Sequence, residues 1–276
     1  MSGKKPSRAP DRLAARKKRA RRRVHIFFAF AAFLFLLSLL WLLWRPWLRI
    51  QTITVLTGES ALADIVRPEL SGSYLGIIPR NSILFYSERA MRARLLAERP
   101  DLTAVSIGRS GFTALELRLS SRVPLARWCG LEITEGVEPY CYLFDSSGYL
   151  FAAADTFAVA PLYPYTVYAP LSGATEEPLK AVVMGVENVS RIFDFAGRIS
   201  TLGSTAKSVV LTGDEVRIIL ENGARVIYVR GQEEQAAAAL HASKDTLSLE
   251  DDSVEYVDAR FEGKVYVKRK GDTVAP

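Results

Sequence analysis

Histidine and cysteine are nearly missing from this chain: 276 residues contain two of each. With His25 and His241 as the whole histidine complement, little is left for general acid–base work near neutral pH. Cys129 and Cys141 have no histidine close in sequence, which gives no support to a thiol–imidazole nucleophile. His241 is the only other soft ligand beyond residue 50, too few for a metal centre. No Gly-rich phosphate loop occurs, so ATP binding has no support and no cofactor is expected. Ser204-Thr205-Ala206-Lys207 fits the Ser-x-x-Lys of penicillin-binding enzymes. That chemistry also needs Lys-Thr-Gly and Ser-Asp-Asn elements, which are absent, and a helix, whereas this string lies between Gly203 and a strand. No catalytic residue and no metal ligand is assigned.

Charge is missing from one long stretch. Val24–Trp44 (VHIFFAFAAFLFLLSLLWLLW) runs 21 residues without a formal charge. As a helix it spans roughly 31 Å, which matches the hydrocarbon core of a bilayer. Its polar side chains include Ser38, whose hydroxyl can bond back to the preceding turn, and His25 at the entrance. Trp41, Trp44 and Trp47 crowd the far end, where amphipathic rings sit at the headgroup level. A cleaved secretory signal is the alternative, but its apolar region would be shorter and followed by small residues. Here Trp44-Arg45-Pro46-Trp47 follows, so a retained transmembrane helix at 24–44, in contact with the lipid bilayer, is expected.

Acids are scarce ahead of that span. Residues 1–23 hold 11 Lys or Arg against Asp11 alone. The positive-inside bias then keeps this basic tail in the cytoplasm and exports everything after Trp44. The tail reads as a topology and anionic-lipid signal, and no nucleic-acid partner is expected. Taking its 11 bases from 36 leaves 25, against 29 acids once Asp11 is taken from 30. The exported part is therefore mildly acidic, although the whole chain is basic. Export together with the short spacing of Cys129 and Cys141 favours a disulfide, with two buried free thiols as the alternative.

The rest divides into two patterned regions, an α+β chain. In the first, 49–56 is rich in β-branched residues and reads as a strand. Ser60 is placed to cap a short helix interrupted at Pro68, and Ser87 a second one that buries Met91 and Leu95 and turns Arg92 and Arg94 outward. Residues 71–86 between them read as loop. Strands at 104–108 and 114–120 follow, with Leu115, Leu117 and Leu119 alternating against Glu116 and Arg118. The order β-α-α-β-β implies a small three-stranded sheet with helices on one face.

In the second region, 128–151 reads as strands around the cysteines, with a tight turn at Ser146-Ser147-Gly148. Residues 152–178, with four prolines, read as a surface crossing. Leu179, Val182, Val183, Val186, Val189 and Phe193 form a helical core stripe ended by Gly197. Strands at 208–211, 216–220 and 225–229 are joined by Thr212-Gly213-Asp214 and by Glu221-Asn222-Gly223, whose Asn-Gly pair is a strong hairpin signal. A helix at 232–246 turns Ala236, Ala239, Leu240 and Ala242 inward. Glu250-Asp251-Asp252 reads as a solvated turn, since no glycine pattern completes a calcium loop.

These regions, in this order after a single span, resemble the FtsQ/DivIB family of bacterial cell-division proteins. Arg80-Asn81-Ser82-Ile83-Leu84-Phe85 is similar to the family's loop before the second helix. Arg122-Val123-Pro124-Leu125-Ala126-Arg127-Trp128 resembles its Glu-Arg-x-Pro-x-Ala-x-Trp join, with Ser121 in place of Glu; Gly111 stands where Pro is common. Asp145-Ser146-Ser147-Gly148-Tyr149-Leu150-Phe151 resembles its Asp-x-x-Gly-x-x-Phe hairpin. Tyr168-Ala169-Pro170-Leu171-Ser172-Gly173 resembles its Leu-Pro-x-Leu-x-Gly segment, and Tyr256-Val257-Asp258-Ala259-Arg260-Phe261 its terminal Tyr-Val-Asp-Leu-Arg-Tyr.

The resemblance implies a basic tail (1–23), a transmembrane helix (24–44), a polypeptide-transport-associated (POTRA) domain at 47–122 and a mainly antiparallel β domain at 123–276 that ends in a flexible tail. It implies a non-catalytic, single-pass scaffold of the cytoplasmic membrane at the division septum, which gathers FtsB- and FtsL-like partners for septal wall synthesis. Carried over by position, Arg260, Phe261, Glu262 and Gly263 are the turn, and Lys264, Val265, Tyr266, Val267 and Lys268 the docking strand. Phe261 keeps the family's aromatic ring without its hydroxyl. Independently, a short terminal strand can leave a sheet edge to which an extended partner adds a strand. An ordinary covered last strand is the alternative there. For the whole chain the alternatives are an anchored cell-wall enzyme or a POTRA-bearing secretion factor.

Overall fold

The computed structural model describes residues 9–134, 140–173, 177–247, 249–250 and 252–272, with side chains from Arg21 onward. The first eight residues of the basic tail, Asp251 of the acidic triplet and the last four residues of the expected flexible tail lie outside the described residues, as do 135–139 and 174–176. The chain divides into two compact units, residues 1–99 with 104–120 and residues 100–103 with 121–276.

The first unit begins with α1 (Ala9–Leu43), apolar over Arg21–Leu43 and long enough to cross a bilayer. It is consistent with a single-pass anchor or a signal sequence. Trp44 falls just past its end, before one 3-10 turn at Pro46–Leu48. There follow β1 (Thr52–Val55), α2 (Ala61–Val66), β2 (Ser73–Tyr74), β3 (Ile78–Pro79), α3 (Glu88–Glu98), β4 (Leu102–Arg109) and β5 (Ala114–Ser121). The sheet order is β1-β5-β4, with β1 parallel to β5 so that Ile53 faces Leu115 and Val55 faces Leu117. Leu62, Val66, Met91, Leu95, Leu115 and Leu117 form its buried interior.

Two local expectations change here. Ser87 caps α3, its Oγ accepting from the Ala90 N–H at 3.3 Å, whereas Ser60 makes no cap bond. The Ser60 backbone is already helical (φ −60°, ψ −27°), a geometry that keeps its hydroxyl from the free amides. Arg94 points away from the buried face, as expected, and there reaches the Glu69 carboxylate at 3.1 Å. Residues 71–86 are not all loop: β2 and β3 pair as a two-residue hairpin, too short to display alternation.

The second unit contains β6 (Ala126–Trp128), β7 (Tyr142–Phe144), β8 (Leu150–Ala153), β9 (Thr166–Tyr168), β10 (Leu171–Ser172), β11 (Val182–Val183), α4 (Val189–Ile199), β12 (Ala206–Thr212), β13 (Glu215–Leu220), β14 (Arg225–Val229), α5 (Glu233–Ala242), α6 (Lys244–Leu247), β15 (Val254–Phe261) and β16 (Lys264–Arg269). Among the described residues it builds a nine-stranded mixed sheet in the order β16-β15-β14-β13-β12-β9-β6-β7-β8. The helices α4 and α5 pack on one face. There Phe193, Phe195, Ile199 and Leu240 meet Val209, Val216, Ile218, Val226 and Tyr228. On β13 and β14 every second side chain is buried, as a sheet covered on one face requires.

The expected surface crossing at 152–178 is overturned at its centre. Within it β9 runs parallel to both β6 and β12, and Val167 and Ala169 are fully buried. Three residues between prolines carry no period to read. The expected helix over 179–197 begins only at Val189: Val182–Val183 pairs with β10 as β11. Positive φ at Lys180, Gly185 and Asn188 breaks any continuous helix before that point. Gly197 lies inside α4, and Ala242 is exposed, so neither plays its expected part.

Cys129 and Cys141 are bonded, with Cα atoms 4.3 Å apart, closing β6 onto β7 beyond the pair Trp128–Tyr142. A disulfide points to an extracytoplasmic setting for this unit. Replacing both cysteines by serine is expected to lower stability by about 3 kcal/mol, the loop-closure value for so short a loop. Denaturant unfolding of the protein in detergent, with and without the double substitution, checks this.

Candidate interaction edge

The last hairpin supplies the site. Strands β15 and β16 are antiparallel, with Tyr256 opposite Lys268, Val257 opposite Val267, Asp258 opposite Tyr266 and Phe261 opposite Lys264. The register shifts between Asp258 and Phe261, an irregularity that bends the hairpin end. Among the described residues β16 has no strand on its outer side, which leaves an edge open for pairing, although the Arg269 N–H at its end already donates to the Asp272 carboxylate at 3.1 Å. Val265 packs against the core, which fixes the face of the strand. Alternation then sends Tyr266 and Lys268 to the opposite face.

The residues carried over as a turn divide differently. Arg260 and Phe261 are still in β15; the turn is Glu262-Gly263, with Gly263 at φ 64°. Phe261 (51 % exposed) and Tyr266 (52 %) stack edge to face at 5.1 Å. Two large rings with half their surface in water, beside an open edge, form an apolar patch of the kind that marks contact sites. Lys264 is exposed next to them, and lysine on an edge also discourages indiscriminate strand pairing.

An ionic frame holds this hairpin, and sequence reasoning missed it. Asp258 is buried and accepts from Arg260 through its backbone N–H (3.0 Å), Nε (2.9 Å) and Nη2 (2.6 Å). Arg260 then reaches across to Glu215 on β13 at 2.9 Å. Glu255 accepts from Lys268 at 2.8 Å and from Arg225 at 3.0 Å. The Arg260 guanidinium holds the Asp258 carboxyl below the usual range, against the opposing push of burial. The hydrogen bond from Lys268 likewise lowers Glu255 and raises Lys268 itself. Thus Arg260 and Lys268, assigned to docking by position, are both engaged within the hairpin. The i, i+2 spacing of Asp258 and Arg260 on one strand is a signal the sequence does carry, whereas the pairs to Glu215, Arg225 and Lys268 depend on a strand register that one sequence does not show.

Two other motifs meet in the second unit. Arg122 pairs with the Asp145 carboxylate, donates to the Pro100 carbonyl at 3.0 Å and lies over the Tyr149 ring at 4.2 Å. Asp145 also accepts from the Ser147 N–H at 2.8 Å, closing the turn. Gly148 there has φ 81°, and a Cβ would stand 2.6 Å from Val186 Cγ2, so only glycine fits. Ser204 precedes a strand and Lys207 is exposed on it, so that pair lacks the helix its chemistry would need. Among the described residues no three His, Cys, Asp or Glu side chains converge on a possible metal position. No family model matches the chain, and no curated protein matches it.

Because folding lowers the Asp258 pKa, its contribution is present above the ordinary carboxylate value and is lost as pH falls through the folded one. Asp258→Asn is expected to cost about 1 kcal/mol at pH 7, discounted for the partly exposed guanidinium. The gap between the two proteins should begin to narrow only below about pH 4 and go on closing as pH falls further. Unfolding curves of both from pH 7 to pH 3 check the sign.

Proposed function

We propose that this chain is a single-pass scaffold of the bacterial division machinery, of the FtsQ/DivIB kind, that works by recognition and carries no catalytic site. The apolar helix holds it in the cytoplasmic membrane with the basic tail inside, and both folded units stand outside, concentrated at the septum. The first unit takes the part of a POTRA domain that helps recruit the protein. The second presents β16 to the extracytoplasmic segments of FtsB- and FtsL-like proteins, which control septal wall synthesis.

The observation that carries this reading is the open β16 edge with its Phe261–Tyr266 ring pair, at the end of a segment that resembles the family's terminal signature. An extended partner strand gains affinity from main-chain hydrogen bonds along such an edge and specificity from side-chain pockets at alternate positions. The two rings are of the type that dominates interface energetics.

The test uses the full chain in detergent and the extracytoplasmic segments of the FtsB- and FtsL-like proteins encoded by the same genome. Binding is expected, and Phe261→Ala with Tyr266→Ala should weaken it by at least ~10-fold at an unchanged unfolding temperature. Equal binding by both proteins would move the partner elsewhere; no binding by either would remove the mechanism.

A further inference from the structure

The hairpin of β2 and β3 carries a residue that its turn chemistry disfavours. The Ile77 N–H bonds to the Tyr74 carbonyl at 3.0 Å, and the two residues between, Leu75 and Gly76, have φ of 51° and 72°. A turn with two positive φ values favours Asn, Asp or Gly at its first central position. Here that position holds a leucine 95 % exposed to solvent. A γ-branched apolar side chain held in the left-handed region and pointed at water gains nothing within the fold.

Its surroundings name the partner. The Trp44 indole N–H donates to the Ile77 carbonyl at 2.8 Å, and the end of α1 packs against β3 with Leu43 buried. If α1 crosses a bilayer, Trp41, Trp44 and Trp47 mark the headgroup level, and the hydrogen bond puts Ile77 at that level too. Leu75 is two residues away, a reach of at most about 7 Å, comparable with a headgroup layer of roughly 5–8 Å. Ile77, Leu84 and Phe85 are also about half exposed.

Charge agrees with this placement. Residues 41–51 and 71–86 contain Arg45, Arg49 and Arg80 and no acid. Each guanidinium lies over a ring, of Trp41, Trp44 and Tyr74 in turn, at 3.7, 4.9 and 5.2 Å. Aromatic rings capped by arginines, beside exposed leucine and isoleucine, suit an interface of phosphate headgroups over acyl chains.

We infer that the β2–β3 hairpin is a second membrane contact, inserting Leu75 and Ile77 into the outer headgroup layer and so fixing the tilt of the first unit on the bilayer. This rests on α1 being a retained anchor and is independent of any role in division.

The test is site-directed fluorescence in nanodiscs of phosphatidylethanolamine and phosphatidylglycerol, with the full chain. Single cysteines replace Leu75, Ile77, Leu36 on the apolar helix and Phe112, an exposed residue (73 %) in the β4–β5 turn. Each carries a bimane label, read against lipids with a nitroxide spin label on the acyl chain. Quenching at 75 and 77 at least threefold stronger than at 112, beside strong quenching at 36, is expected. Quenching at 36 with labels at 75 and 77 no more quenched than at 112 would overturn the hairpin contact, leave the anchor standing and assign the exposed leucine to a protein partner. No quenching at any position would overturn the anchor and the contact together. Leu75→Asn, suited to the turn, should leave the unfolding temperature in detergent unchanged or higher, which separates the lipid contact from a folding role.

Discussion

A three-residue strand holds the second unit together. Thr166–Tyr168 is parallel to β12 on one side and β6 on the other, and without it the nine strands would fall into a group of five and a group of three. Val167 and Ala169 are fully buried in the joint, and Ala169 accepts the Trp128 indole N–H at 2.8 Å. Because β9 is central, the sheet grows outward from it in both directions. Its two free edges are therefore β8 and β16.

The two ends of that sheet are treated differently. Near β8, Tyr149 forms a bridge to Val182, and the Leu150 carbonyl accepts from the Lys180 amide, so the chain folds over part of the edge. At β16 the described chain adds no strand outside, and only the Arg269 N–H at its end is taken, by Asp272. Lys268 ties the strand to Glu255, which also pairs with Arg225, while Asp258, Arg260 and Glu215 link β15 to β13 behind it. An edge held in place from one side and left open on the other is ready for a partner strand without a folding step of its own.

What could be read from the sequence follows the length of each element. The apolar helix, the Asn222-Gly223 hairpin and the strands β12 to β14 have enough residues to show a period or a turn signal, and the structure places them close to the expected bounds. The short elements do not: β9 hides among prolines, and Val182–Val183 joins a false helical stripe because its spacing matches α4 beyond the turn at Gly185 and Asn188. At the candidate site the terminal strand is legible from position and pattern, whereas its uncovered edge and the contact between Phe261 and Tyr266 come from the structure. The engagement of Arg260 by Glu215 depends on which strands share the sheet, which one chain's residue order does not state, whereas Asp258 stands two residues away on the same strand.

In the proposed function the β16 edge is the docking surface. Backbone amide hydrogen exchange of the full chain, alone and with the FtsB- and FtsL-like segments, reads that edge directly. The expected result is new protection concentrated in residues 264–269, because a strand added there satisfies the outward amides. Protection confined to residues 150–153 or to the first unit, with 264–269 exchanging as before, would contradict it.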